Sequence, residues 1–229
     1  MENLLRDYME RAFAERGIEK QHSPGPVITI SREYGCPAKL IAQQLTHALN
    51  KPDVTGNTKK WRFISKEVVE ATARRLELNP NDVNYLLSTG GKGLIEDVMA
   101  SFSNSYVSNH RMRKTVSMVV RSIAEQGWVV IVGRGGVGIL QKHPNTFHIR
   151  LQAPREWRID AICKTQHLSQ QESGRMVDEM DKKRIGFIET MTGTKFDPCL
   201  FDITFNCSTM SNEEIIGILI GLLEQKNLI

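Results

Sequence analysis

Five short segments rich in β-branched, aromatic and aliphatic residues punctuate the chain: Val27-Ile28-Thr29-Ile30, Trp61 to Ile64, Trp128 to Val132, Phe147 to Leu151 and Ile203 to Cys207, of which Trp128 to Val132 is continuously apolar. Each is too short for a buried helix and is bounded by turn-forming or polar residues, so each predicts a strand. Between them the apolar positions return every three or four residues. Pro37, Ile41, Leu45 and Leu49 predict a helix, with Pro37 at its first position, where a missing N–H costs nothing, and Cys36 near the cap. Helical patterns follow over residues 65–76, 80–87, 93–104 and 111–126, and a charged one over roughly 169–189. Leu5, Tyr8, Met9, Ala12 and Phe13 place an amphipathic helix at residues 2–16, ended by the segment His22 to Pro26. Strands that alternate with helices imply a parallel sheet covered on both faces. The strand-free block 65–126 then reads as a helical insertion.

With 229 residues, 40% of them apolar, the chain can bury a substantial core, which excludes collagen-like, coiled-coil and disordered classes. Thirty Lys and Arg against 26 Asp and Glu give a net charge of +4, enough to suit a phosphate ligand and far below that of a dedicated nucleic-acid binder. Arg111, Arg113, Lys114 and Arg121 lack interleaved aromatics and fit a solvated helix face better than a nucleic-acid stripe. The longest apolar run, Ile215 to Leu223, is broken by glycines and is half the length of a membrane span. The charged N-terminus lacks the apolar core of a signal peptide, so a cytoplasmic protein is expected. The four cysteines, Cys36, Cys163, Cys199 and Cys207, form no C-x-x-C pair and are read as reduced thiols.

In an open parallel sheet, ligands bind beyond the carboxyl ends of the strands, which directs attention to the loops after Ile30, Val132 and Leu151. The first, Ser31-Arg32-Glu33-Tyr34-Gly35-Cys36, runs into a helix N-terminus, whose free N–H groups attract phosphate. It lacks the strict G-x-x-x-x-G-K-[ST] spelling, so an ordinary strand-to-helix turn remains the alternative. The second, Gly133-Arg134-Gly135-Gly136-Val137-Gly138, matches G-x-G-x-x-G. A dinucleotide site is disfavoured by the short connection to Phe147 and by Gln152 at the position of a ribose-binding carboxylate. That leaves Arg134 on a glycine turn, either as a bidentate phosphate ligand or as a surface residue. Gly90-Gly91-Lys92-Gly93 follows a helical pattern and reads as a helix-breaking turn. Lys182-Lys183-Arg184, Arg155 and Arg158 are either solvated charges or cations that neutralise a transferred phosphoryl group. No histidine or cysteine spacing marks a zinc site, and metal ligands stay unassigned.

The segments VITISREYGCPAKLIAQQL, VVIVGRGG, FHIRLQAPREWRI, DKKRIGFIETMTGTKFDP and FDITFNCSTMSNEEI, in this order, resemble the cytidylate kinase-like family of P-loop proteins. The resemblance implies a three-layer α/β fold of the P-loop NTPase type: a parallel five-stranded sheet over residues 27–229, a helical acceptor-binding insertion at 65–126 and a lid at 155–192. Residues 1–26 would form an N-terminal helix and linker that could dock a partner or a second copy through residues 2–16. The implied activity is ATP-dependent phosphoryl transfer, with Mg²⁺, to a small phosphorylated acceptor, for instance a nucleoside monophosphate such as CMP. The alternative is a catalytically impaired nucleotide-binding or regulatory module with the same fold. By position, Ser31, Arg32, Glu33, Tyr34, Gly35, Cys36, Ala38 and Lys39 would wrap the donor phosphates, while Lys39, Arg134, Lys183 and Arg184 would serve catalysis. Asp202 corresponds to a structural aspartate near the last strand. The chain departs from its relatives in carrying Cys36-Pro37-Ala38-Lys39 where Ser-Gly-Gly-Arg is common and Gly135 where an aspartate follows the arginine. Lys39 stands one position late for a Walker lysine, and Leu40 offers no hydroxyl.

Overall fold

The computed structural model describes residues 25–51, 60–64 and 106–229. The N-terminal helix at 2–16, the helices between 65 and 104 and the 90–93 turn lie outside the described residues. The chain forms two compact units, of which the larger, residues 21–63 with 124–229, carries the sheet. Within the smaller unit, Val116, Val119, Val120 and Ile123 form the buried stripe of a long helix.

The elements are β1 (Val27–Arg32), α1 (Ala38–Leu49), β2 (Arg62–Ile64), α2 (Tyr106–Gln126), β3 (Val129–Val132), α3 (Gly136–Ile139), β4 (Thr146–Gln152), α4 (Arg155–Gln166), α5 (Gln170–Thr192) and, after the 3₁₀ turn Pro198–Leu200, β5 (Ile203–Asn206) and α6 (Asn212–Gln225). All five expected strands are present and assemble in the order β2-β3-β1-β4-β5 as one parallel sheet. The central strand β1 is longer than one of its neighbours. It pairs with β3 only as far as Ile30↔Val132, but with β4 as far as Arg32↔Leu151. Ser31 and Arg32 therefore overrun the end of β3 and enter the space beside the 133–135 turn.

One face of the sheet carries Ile28, Ile30, Val130, Val132, Ile149, Leu151 and Phe205 against Ile41, Leu45 and Leu49 of α1 and Ile215, Leu219 and Leu223 of α6. At about 1.5–3 kcal/mol for each large aliphatic side chain removed from water, this layer is a large source of stability. Two corrections to the sequence expectations concern helix ends. α1 begins at Ala38 with Pro37 as its N-cap, one residue later than expected, because Pro37 takes φ −82° and ψ 45° and contributes only its carbonyl, to the Ile41 N–H. α5 runs to Thr192, since Ser169 and Glu172 form a reciprocal capping box at its start and Gly193, at φ 74°, ends it.

The opposite face buries a polar pair. Thr29 Oγ1 and His148 Nδ1 lie 2.7 Å apart, and Asp202 brackets the same residue by accepting from the His148 backbone N–H at 2.7 Å and donating its own N–H to the His148 carbonyl at 2.8 Å. Burial pushes the His148 imidazole below its ordinary range, with the Asp202 charge opposing the shift. The unfolded chain therefore takes up a proton near pH 6.5 that the folded state resists, and stability should fall as pH drops below 6.5. Urea unfolding of the parent at pH 7.5 and 5.5 should show this loss, and His148→Gln should shrink the difference between the two pH values.

Candidate active site at the end of the central strand

Three arginines from separate segments converge where β1 overruns β3. Arg32 ends β1; Arg134 comes from the turn after β3; Arg184 comes from α5. Arg32 is mostly enclosed, and burial together with the guanidiniums of Arg184 and Arg134 pulls it far below the usual arginine range, to about 9. Burial also lowers Arg134 and Arg184. No carboxylate of the described residues pairs with Arg32. With two like charges close by and no carboxylate of the described residues to pair with, its charged form is costly until an anion arrives.

Backbone shape delivers these side chains. Gly133, Arg134 and Gly135 take φ values of 70°, 58° and 67°, three consecutive left-handed residues that turn the chain sharply and project Arg134 from a conformation disfavoured for an arginine. Positive φ disfavours a side chain at both glycines, and the space beside each is taken. A Cβ on Gly133 would lie 2.1 Å from Arg32 Nη1, and one on Gly135 would lie 2.9 Å from both Met191 Cγ and Phe187 Cε1 of α5. Side chains of α5 fill the space that the aspartate implied by the resemblance would take after the arginine.

The loop before α1 is knitted to the helical pair α4–α5. Glu33 spans Arg150 Nη2 at 3.2 Å, the Ala153 N–H at 3.2 Å and Arg158 Nε at 3.3 Å. Tyr34 buries its ring among Ile159, Ile162 and Val177, and its hydroxyl meets Met176 Sδ at 3.2 Å and Gln166 Nε2 at 2.8 Å. The Tyr34 backbone N–H donates to Asp181 Oδ1 at 2.7 Å. Arg158, 7% exposed, donates to the Tyr34 and Ala153 carbonyls at 3.1 and 2.9 Å and also pairs with Asp181. Arg184 completes the joint by reaching the Arg32 carbonyl at 3.4 Å and lying 5.0 Å over the Tyr34 ring.

The residues expected to wrap phosphate thus divide. Arg32 enters the cluster, Ser31 lies at the end of β1 beside it, and Gly35 supplies the turn at φ 97°. Glu33 and Tyr34 serve the joint with α4–α5. Ala38, 3% exposed, packs into the core beneath α1. Cys36 packs against the same core, where its thiol meets that of Cys207 beyond β5; the hydrogen bond between them and burial push Cys36 up. Cys36 and Ala38 direct their N–H groups to the carbonyls of Glu33 and Cys36, and Pro37 has none, which among the described residues leaves Gly35 in the loop and Lys39 and Leu40 in the first turn of α1 as N–H donors.

Of the remaining expected catalytic residues, Arg134 and Arg184 come together with Arg32. Lys39 is exposed in the first turn of α1, and Lys183 lies 3.7 Å from Glu179 on its own helix. Glu189, in α5, accepts from the Phe196 N–H at 3.0 Å. Arg155 makes a two-pronged, exposed pair with Asp178 at 2.8 and 2.7 Å. Sequence reasoning missed Asp181 and Arg158 as organisers of the site. The i,i+3 spacing of Asp181 and Arg184 was the one local signal that both could face the same loop.

A parallel sheet of order β2-β3-β1-β4-β5 covered by helices is a kinase-type α/β fold. The chain belongs to the cytidylate kinase-like family, whose model matches residues 27–209. Among solved structures it is similar to an uncharacterised protein from Eubacterium ventriosum, with 18% identity, a TM-score of 0.61 and coverage of 87% of this chain and 98% of that one. It is also similar to a shikimate kinase from Bacteroides thetaiotaomicron, with 14% identity, a TM-score of 0.52 and the same coverage. No curated protein matches the sequence. Among the described residues no helix is long and apolar enough to cross a membrane.

The donor set fits one of the two groups the family implies. Three guanidiniums suit a polyphosphate. Among the described residues, the carboxylates of the adjoining loop and helix, Glu33 and Asp181, are engaged by arginines and backbone N–H groups, and Leu40 is apolar. The described residues hold no cluster of three His, Cys, Asp or Glu for a cation. Protein ligands for Mg²⁺ are therefore not evident there.

Proposed function

We propose that the protein is an ATP-dependent phosphotransferase acting on a small phosphorylated acceptor of the nucleoside monophosphate class. The observation that carries this reading is the convergence of Arg32, Arg134 and Arg184 without a carboxylate for Arg32 among the described residues. Such a cluster attracts a dense anion and neutralises charge as a phosphoryl group moves between oxygens. Planar guanidiniums can grip phosphate oxygens in pairs, so the same side chains also orient donor and acceptor. The acceptor phosphate is already largely ionised at neutral pH, and the reaction needs no carboxylate base. Lys39 contributes in this reading as a solvated cation that raises the local positive potential, while the charge of Lys183 is offset by Glu179.

A second reading, a nucleotide-binding module that no longer turns over, draws support from the loop itself. Tyr34, Cys36 and Ala38 spend their N–H groups on protein acceptors, and Pro37 offers none. A coupled assay with MgATP and a panel of nucleoside monophosphates separates the two. Turnover with one acceptor is expected, and Arg134→Ala should raise the KM for that acceptor roughly 10- to 100-fold, as for loss of one charge-assisted hydrogen-bond pair. ATP-dependent thermal stabilisation without turnover would favour the module.

A further inference from the structure

Asp181 is the carboxylate that α5 inserts into the loop joint, and it stands three residues, about one helical turn, before Arg184. Its Oδ1 takes the Tyr34 N–H at 2.7 Å and its Oδ2 takes Arg158 Nη1. Arg158 is in turn fixed by the Tyr34 and Ala153 carbonyls and by Glu33. Residues three apart on a helix share a face, so fastening Asp181 to the loop determines where Arg184 lies. Arg184 lies against the Arg32 carbonyl and over the Tyr34 ring, within electrostatic reach of the Arg32 guanidinium.

We infer that Asp181 is a positioning residue, which seats α5 on the loop and thereby holds Arg184 beside Arg32 so that both guanidiniums face one anion. The inference rests on the reading of the arginine cluster as the phosphate seat. It makes a prediction opposite in sign to simple electrostatics. Asp181 is a negative charge near the cluster and draws on Arg184. If it acted only through charge, or occupied the loop in place of a phosphate, its removal would tighten anion binding. As a positioning residue, its removal must weaken it.

The test is calorimetric binding of MgATP to the full chain for the parent, Asp181→Ala, Arg184→Ala and the double variant, each shown to be folded by near-UV circular dichroism. Asp181→Ala should weaken binding about tenfold, Arg184→Ala at least as much, and the double variant no more than Arg184→Ala alone, because the two act as a unit. Should Asp181→Ala not fold, Asp181→Asn keeps an acceptor for the Tyr34 N–H, removes the charge facing Arg158 and enters the same cycle, where a smaller loss, again absent in the Arg184→Ala background, is expected. Tighter or unchanged binding on loss of Asp181, or additive losses in the double variant, would overturn the inference alone. Unchanged binding in Arg184→Ala would overturn it together with the reading of the cluster.

Discussion

Arg32→Met is expected to make the unliganded protein more stable and to remove most of its affinity for phosphates. The arginine ends the central strand with two guanidiniums nearby and no carboxylate among the described residues, and its charge is held in place against burial and repulsion. Methionine has a similar reach, packs as an apolar chain and relieves the repulsion. A gain of about 1 kcal/mol would raise the melting temperature by roughly 2–4 °C in a chain of this size. The loss of a charged partner to a bound anion corresponds to about 2–4 kcal/mol, or roughly 30- to 1,000-fold in affinity. Thermal unfolding with and without inorganic pyrophosphate reads both effects at once. The parent should gain stability from pyrophosphate, whereas the variant should start higher and gain little. A variant that starts lower and keeps the full pyrophosphate shift would show that the anion sits elsewhere.

Gly35→Ala is expected to destabilise the fold by roughly 2–5 kcal/mol, combining a backbone conformation foreign to alanine with an overpacked contact. Gly35 has φ 97°, and a Cβ there would lie 2.9 Å from both the Cβ and the carbonyl oxygen of Arg158. Arg158 cannot retreat, since its guanidinium is fixed by the Tyr34 and Ala153 carbonyls and by Glu33 and Asp181. Gly186, within α5, is the control: nothing lies within 4 Å of the position its Cβ would take, and alanine there should stabilise by roughly 0.5–1 kcal/mol. Urea unfolding of both variants checks the contrast. Equal effects at the two positions would mean that the Gly35 contact is slack.

β3 was legible because a strand buried on both faces leaves an unbroken apolar run, and Val129–Val132 has all four residues buried; β4 and β5, with Arg150 and Asn206 half-buried and Gln152 and Thr204 exposed, showed apolar residues interleaved with polar ones. The turn carrying Arg134 was legible because glycines on both sides of a single arginine, straight after a buried strand, signal backbone in the left-handed region. The division of labour within the loop after β1 was not legible. Glu33 and Tyr34 belong to a basic, glycine-containing loop before a helix, and as sequence they look like phosphate ligands. Their partners are Arg150, Arg158, Gln166, Met176 and Asp181, more than a hundred residues away, and no local periodicity encodes such pairings. Gly135 stands out in the sequence as a departure, but its reason, the approach of Phe187 and Met191, appears only once α5 is in place.

The burial of Tyr34 among Ile159, Ile162 and Val177 bears on how pieces of such proteins can be recombined. The aromatic ring comes from the stretch before α1, yet it completes a hydrophobic cluster otherwise built by the helical hairpin of α4 and α5. A graft that exchanged this hairpin with that of a relative would carry across a socket without its plug, unless residue 34 travelled with it. Segment boundaries drawn along the chain therefore cut through a unit that packs as one in three dimensions.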